Sequence, residues 1–391
     1  MNNKNDIIVL YGPTFDQPAQ LSKHQFARMW AEERKVLYIE SPFNIFSFIT
    51  RFNEAKRLLK RYITGPEKFY KNLWLATFFY ILPYRGSKKF LGAEWVNRLN
   101  QYLIKYKLNK MIKRLNLYKP ILFIGDAHAY PLLKYFNNNL KIYHCSDDYT
   151  LVPSYPESFK NLEKKFIKKC DIVIATAEEL KKSKIILNQN TYTIPNGADV
   201  EHFKKTQNQN TIIADDIKNF TKPVVGYIGS IFRWINVEWI EYAAKNLPNY
   251  SFVFIGPITI NISKLKKIDN IFFLGPRPYL QLPTYLKGFD LATIPFTIDG
   301  VTLKASPIKF YEYLASGVPI VSTDLPDLEQ FKNIVSLVKD KEQYCRQIQL
   351  EISNNNSQLM HKRINTSNSF SWKARYTKIN ELFDFHLLNK I

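Results

Sequence analysis

A chain of 391 residues, 46% hydrophobic and 15% aromatic, has enough apolar material for folded cores and the length for two domains of nearly equal size. Its 55 Lys+Arg against 34 Asp+Glu give a formal charge of +21, which calls for an anionic partner (nucleic acid, acidic membrane or phosphorylated substrate) or reflects a solvated lysine face. Cys145, Cys170 and Cys345 are too few and too scattered for a disulfide framework or a metal site and read as reduced, buried thiols.

Several classes are set aside by what the sequence lacks. There is no RNA-recognition signature, zinc-ligand pattern or arginine-rich tail, so no specific nucleic-acid partner is expected. Ile7 to Tyr11 is far short of a signal-peptide core, and no apolar run approaches the roughly 18 residues that span a bilayer. The expected location is cytoplasmic, with the inner membrane face as a docking place.

The first half alternates short apolar runs with helical patterns, which predicts a doubly wound parallel α/β sheet. Strands are expected at Ile7 to Tyr11, Lys35 to Ile39, Leu73 to Phe79, Ile121 to Ile124, Lys141 to His144, Asp171 to Ala175 and Thr191 to Ile194. Gly12 and Pro13 end the first, and Gln20 to Glu33 reads as a helix. Ser41 to Phe90 breaks the repeat, mixing aromatics with Arg51, Lys56, Arg57, Lys60, Arg61, Lys68, Lys71, Lys88 and Lys89. That mixture suits the headgroup layer of an anionic bilayer, and a helical lid with solvated lysines equally. Asp126 and His128 in ILFIGDAHAY follow a buried strand and so sit at its carboxyl end, where open sheets bind ligands. Asp147 and Asp148 in YHCSDDY end the next; paired carboxylates there serve as an acceptor base or hydroxyl ligands, or form an ordinary turn and cap.

Lys204 to Lys222, with its QNQN run, reads as a linker, dividing the chain into a first domain (1–203), a second (223–368) and a terminal helix (369–391). Val224 to Ile228 opens the second domain and runs into Gly229 and Ser230, a tight turn where backbone can approach a pyrophosphate, with Arg233 a candidate phosphate clamp. After strands at Ser251 to Ile255 and Ile271 to Leu274 comes the rigid turn Gly275 to Tyr279, placed to read a nucleobase edge; Arg277 is either a base-stacking group or a solvated loop arginine. Between strands at Asp290 to Phe296 and Pro319 to Thr323 lies a helix with marked ends: Ser306 as N-cap, Pro307 at the first position, Gly317 just past the last. Its amides point into the strand-end crevice, a natural phosphate site. Lys309 and Glu312 share one face, so a lysine on phosphate and a carboxylate on a ribose diol would hold a nucleotide diphosphate; a surface ion pair is the plain alternative.

The run SPIKFYEYLASGVPIVSTDLPDL resembles the donor-binding segment of retaining, nucleotide-sugar-dependent group 1 glycosyltransferases of the family 4 type, in the branch that includes teichuronic-acid-type enzymes. VVGYIGSIFRWINVEWIEYAAKNLPNYSFVFIGP and NIFFLGPRPYLQLPTYLKGFDLATIPF are similar to earlier segments of that family in the same order, so the resemblance covers most of Val224 to Leu328. It implies the GT-B fold: two doubly wound Rossmann-like domains facing a cleft, acceptor side first and donor side second. It also implies an acceptor-side role for Phe15, Asp16 and His24 in the first loop and a polar residue beside the transferred sugar in the Asp126/His128 loop, which makes those two the catalytic candidates. Pro195 to Asp199 resembles the family's P-N-G-V-D turn. Three features depart from the pattern. Only one cation, Arg233, follows the Gly229 turn; Asn236 stands where an acidic residue is common; and Lys304 occupies the place of an outer glutamate, leaving Glu312 as ribose ligand.

The reaction these readings imply is transfer of a sugar from a nucleotide diphosphate to a hydroxyl of a lipid-linked or surface-polysaccharide precursor, without a metal or a cofactor beyond the donor. Arg233, Lys309 and the helix amides from Ser306 would stabilise the leaving diphosphate. Its rivals are a GT-B nucleotide-sugar epimerase, a non-catalytic sugar-nucleotide or membrane-binding scaffold, and a charge-driven nucleic-acid binder.

Overall fold

A computed structural model describes residues 4–16, 21–81, 94–152, 155 and 157–389. The chain divides into two compact units, Met1–Ile194 with Tyr376–Ile391, and Pro195–Arg375.

In the first unit the order is β1 (Ile7–Gly12), α1 (Ser22–Ala31), β2 (Val36–Glu40), α2 (Ser47–Thr50), α3 (Phe52–Thr64), β3 (Glu67–Tyr70), β4 (Leu73–Ala76), α4 (Glu94–Leu115), β5 (Ile121–Ile124), β6 (Lys141–Cys145), α5 (Glu157–Ile167), β7 (Ile172–Ala175), α6 (Glu178–Lys184) and β8 (Thr191–Thr193). The sheet runs β3-β4-β2-β1-β5-β6-β7-β8 and is parallel except for β3, which pairs antiparallel with β4. β1, β2, β5 and β7 are buried along their whole length, as strands covered on both faces must be, and this is why they read as unbroken apolar runs. β1 lies between β2 and β5, so connections leave it in opposite directions and the carboxyl ends of β1 and β5 frame a switch point.

The second unit contains α7 (Val200–Lys204), β9 (Val224–Ile228), α8 (Val237–Asn246), β10 (Ser251–Ile255), β11 (Ile271–Gly275), α9 (Leu282–Leu286), β12 (Leu291–Ile294), α10 (Ile308–Ser316), β13 (Ile320–Thr323), β14 (Ser336–Val338), α11 (Lys341–Asn354) and α12 (Ser357–Asn368). Its sheet, β11-β10-β9-β12-β13-β14, is parallel throughout, with the switch point at β9 and β12. α13 (Trp372–Leu388) follows, and from Tyr376 onward it belongs to the first unit, where Trp30 stacks on Phe383 at 5.7 Å and donates to Asn380 Oδ1 at 3.2 Å.

Two expectations change. The division falls at 194/195 and 375/376, and the stretch expected as a linker, 204–222, packs within the second unit: Ile217 joins its core, and Lys287 Nζ donates to Asn208 O. β3 carries Glu67, Lys68 and Tyr70 on an exposed edge, so it lacks the buried apolar run by which the other strands are read. The three cysteines are free, buried thiols.

Candidate functional site

Of the donor-side candidates, Gly229, Ser230 and Arg233 follow β9 and Ser306, Lys309 and Glu312 follow β12, the two strands of the second unit's switch point, whereas Arg277 and Tyr279 follow the edge strand β11. β9 ends in Gly229, whose N–H donates to Ile255 O at 2.8 Å, and Ser230 and Arg233 follow it exposed. The turn is shaped by Gly256, at φ +148°: a Cβ there would lie 2.0 Å from Gly229 O, so the two loops meet backbone to backbone. Asn236, in the place of an acidic residue, has a structural task, capping α8 by accepting from Trp239 N at 3.1 Å.

The loop between β12 and α10 is stapled before the helix begins. Asp299 Oδ1 accepts from Val301 N and Thr302 N, Thr302 Oγ1 donates to Thr297 O at 2.6 Å, and Phe296 N donates to Thr323 Oγ1 at 2.8 Å. Ser306 does not cap α10. The helix begins at Ile308 with Pro307 in the capping place, and Ser306 Oγ instead lies 2.9 Å from Tyr311 Oη, whose own proton goes to Asp327 Oδ2 at 3.0 Å. Ser306 O is held by Asn196 Nδ2 at 2.7 Å, so the Pro195 to Asp199 turn fixes where the helix starts. At the other end Gly317 takes the expected left-handed conformation, φ +76°.

On α10, Lys309 Nζ donates to Glu312 Oε2 at 2.6 Å; the Glu312 side chain is 4% exposed and that of Lys309 26%. Tyr313 Oη accepts from Ile228 N at 2.8 Å, which ties this helix to the last residue of β9 and hence to the Gly229 turn. Tyr279 stacks on His202 with centroids 4.7 Å apart, and its carbonyl accepts from His202 Nε2 at 3.0 Å. Burial raises its phenol pKa, and the charges of Glu312 and Asp199 raise it further. Arg277 is engaged elsewhere: Nη2 pairs with Asp216 Oδ2 at 2.7 Å and Nε donates to Tyr285 Oη at 2.7 Å, so neither a free base-stacking arginine nor a solvated one describes it. Burial pushes the Asp216 carboxyl up, but hydrogen bonds from Arg277 and Tyr285 more than offset this and leave it below its usual range.

In the first unit the candidates separate. Phe15 is a core residue, its ring edge-on to His24, Tyr38 and Phe69. Asp16 pairs with Arg57 and with Arg61, which also bonds Glu40 at 2.8 Å, so part of the basic stretch between Arg51 and Lys71 neutralises internal carboxylates. Asp148 is buried, accepting from Thr150 Oγ1 at 2.5 Å with Lys184 at 3.7 Å, which is the turn-and-cap arrangement. Asp126 accepts from His128 N at 2.9 Å and lies 2.5 Å from His128 Nδ1, capping the turn after β5. Asp147 is half-buried, and burial raises its carboxyl. Lys88 and Lys89 lie outside the described residues. Lys23 and Gly256 were not singled out from sequence: each matters through atoms brought to it from elsewhere in the fold, and neither stands in a motif.

The family model for glycosyl transferases group 1 matches residues 222–353. This segment is a group 1 glycosyltransferase domain. It contains every donor-side candidate from Gly229 to Glu312. A Bacillus subtilis (strain 168) protein named as a teichuronic acid biosynthesis glycosyltransferase, TuaH, is 24% identical over 181 residues, 44% of this chain. The match spans 45% of that relative. Among solved structures, a sucrose-phosphate synthase from Thermosynechococcus elongatus superposes with a TM-score of 0.70 at 13% identity, covering 98% of this chain and 100% of that one. An α,α-trehalose-phosphate synthase (UDP-forming) from Burkholderia vietnamiensis gives 0.71 at 11% identity with the same coverages. Anabaena Alr3699/HepE in complex with UDP and glucose gives 0.64 at 14% identity, covering 97% and 100%. At these identities the structures speak for the fold, which is GT-B, with the group 1 domain in its second unit.

Proposed function

We propose that the protein transfers a sugar from a nucleotide diphosphate to a hydroxyl of a saccharide or lipid-linked surface-polysaccharide precursor, with retention of anomeric configuration. The observation that carries this reading is the Lys309/Glu312 pair on the first turns of α10, at the switch point of the second unit and inside the group 1 domain. In the reaction the bond from the anomeric carbon to the diphosphate oxygen breaks, and negative charge gathers on the diphosphate. Lys309, exposed Arg233 and the first amides of α10 are the groups suited to stabilise it. Glu312, the more buried partner, accepts from the ribose diol while the more exposed Lys309 turns to phosphate.

The test is a thermal-shift panel of UDP, GDP, ADP and CMP, UDP being the ligand named with one structural neighbour. A nucleotide at 100 times its dissociation constant adds about 2.7 kcal/mol to stability. A selective rise with one diphosphate, followed by release of that diphosphate from its sugar only when acceptor extract is added, supports transfer. Release or isomerisation without acceptor points to an epimerase, and no shift with any nucleotide overturns the reading.

A lipid-linked acceptor would bring the first unit to an anionic bilayer. α3 presents Phe52, Lys56, Lys60 and Ile63 at helical spacing on an exposed face, with Phe52 60% and Ile63 70% accessible and Ile49 beside them at 80%. Among the described residues no helix is long and apolar enough to cross a membrane. Co-sedimentation with phosphatidylglycerol vesicles, absent with phosphatidylcholine and lost in Phe52→Ser/Ile63→Ser, is the expected result.

A further inference from the structure

At the switch point of the first unit, Lys23 reaches from α1 across the carboxyl ends of β1 and β5. Its stem passes so close that a Cβ on Gly125 would lie 2.6 Å from Lys23 Cε and 2.8 Å from Tyr11 O. Tyr11 itself holds φ +60°, an uncommon conformation for an aromatic residue, where the β1/β2 register shifts between Leu10 and Gly12. Lys23 is 4% exposed, yet its ammonium makes a single hydrogen bond, to Ser146 Oγ at 3.0 Å. No carboxylate among the described residues comes within ion-pair distance of it, and two of its three N–H donors have no protein partner. A buried ammonium so weakly compensated is costly, and a methionine would fill the same space without that cost.

We propose that Lys23 is an acceptor-recognition residue, donating hydrogen bonds to the hydroxyls of a neutral saccharide held over Gly125. This rests on the transferase reading for its name but not for its chemistry. The neighbours set the class of ligand. The charges of both Asp147 and Asp126 act on Lys23, so an anionic headgroup would meet two carboxylates for one ammonium, whereas a hydroxyl both accepts from Lys23 and donates to a carboxylate. Burial lowers the Lys23 pKa to about 8, against the raising influence of Asp147, Cys145 and Asp126; His144 and His24 also face it. The ammonium form is therefore lost as pH rises through about 8.

The experiment uses the full chain and saturation-transfer NMR with p-nitrophenyl glycosides of glucose, galactose, mannose and N-acetylglucosamine at about 10 mM, where a millimolar site is nearly filled. At least one glycoside binds the wild type, weakens as pH passes about 8, and binds Lys23→Met roughly 10- to 100-fold less well with no such pH dependence. If Lys23→Met does not fold, Ser146→Ala, which removes the one protein partner of the ammonium, must alter the pH midpoint of glycoside binding. Equal binding by wild type and Lys23→Met, no effect of Ser146→Ala, or no glycoside bound by the wild type overturns the proposal. Diphosphate binding is measured on the same samples: glycoside binding without it would overturn the transferase reading and leave the Lys23 assignment standing.

Discussion

The Lys309 ammonium rests 2.6 Å from Glu312 Oε2, one helical turn along α10, with the carboxylate buried and the ammonium partly open. A pair made only for stability would gain little here, because a lysine still partly open to water contributes on the order of 1 kcal/mol to such a contact. Glu312→Ala is therefore expected to leave the urea midpoint within about 1–2 kcal/mol of wild type, while weakening binding of the stabilising diphosphate at least about tenfold, near 1.4 kcal/mol. Calorimetric titration of both proteins decides this, and unchanged affinity would sink the ribose assignment.

Gly256 and Gly275 both take positive φ, but only one is crowded. A Cβ at Gly256 would strike Gly229 O at 2.0 Å, whereas at Gly275, φ +71°, nothing lies within 4 Å. Gly275→Ala should cost about 1 kcal/mol from backbone strain alone, and Gly256→Ala on the order of 3 kcal/mol or more, because the Gly229 turn must move. Diphosphate binding should fall in Gly256→Ala at temperatures where the domain remains folded. Similar unfolding midpoints for the two variants would contradict the close approach.

Asn196 offers a separate handle on the same helix. Its side-chain amide is buried and donates to Ser306 O at 2.7 Å, while its backbone carbonyl accepts from Arg375 Nε at 3.3 Å. Asn196→Ala strands the buried Ser306 carbonyl, an expected loss of about 1–3 kcal/mol. Asn196→Asp should be at least as harmful, since it sets a carboxylate against that carbonyl. Chemical denaturation of the three proteins gives the order.

Much of this architecture was legible in the sequence, because parallel strands buried on both faces appear as short apolar runs: Ile121–Ile124, Val224–Ile228 and Ser251–Ile255 fall where they were expected. The end of α10 was legible too, since only a residue without Cβ sits easily at the φ of Gly317. What was hidden depends on distant atoms. Ser306 has the chemistry of an N-cap, but the hydroxyl of Tyr311 competes for it. Arg277 looked available until Asp216 and Tyr285 folded against it, and Phe15 looked like a loop aromatic until three rings enclosed it. Lys23 is one lysine among many until Gly125 and Ser146 are placed beside it.

His24 gives the first unit a dependence on acid. Leu21 N donates to its Nδ1 at 3.2 Å, so that nitrogen is unprotonated, and Nε2 carries the proton to Pro13 O at 3.2 Å. The ring is fully buried; burial lowers its pKa from 6.5 to about 4, the Pro13 bond opposes this, and Arg28 and Lys23 add to it. The folded state therefore stays neutral where the unfolded chain takes up a proton, so stability is complete above about pH 6.5 and falls as pH drops toward about 4. The full displacement corresponds to at most about 3 kcal/mol, and buried His144, shifted in the same direction, adds to it. Urea titrations followed by tryptophan fluorescence should show unfolding free energy decreasing through this window. His24→Gln should be less stable than wild type at neutral pH but lose less on acidification, because an amide can keep a carbonyl partner and takes up no proton. An unchanged acid slope in His24→Gln would assign the loss to His144.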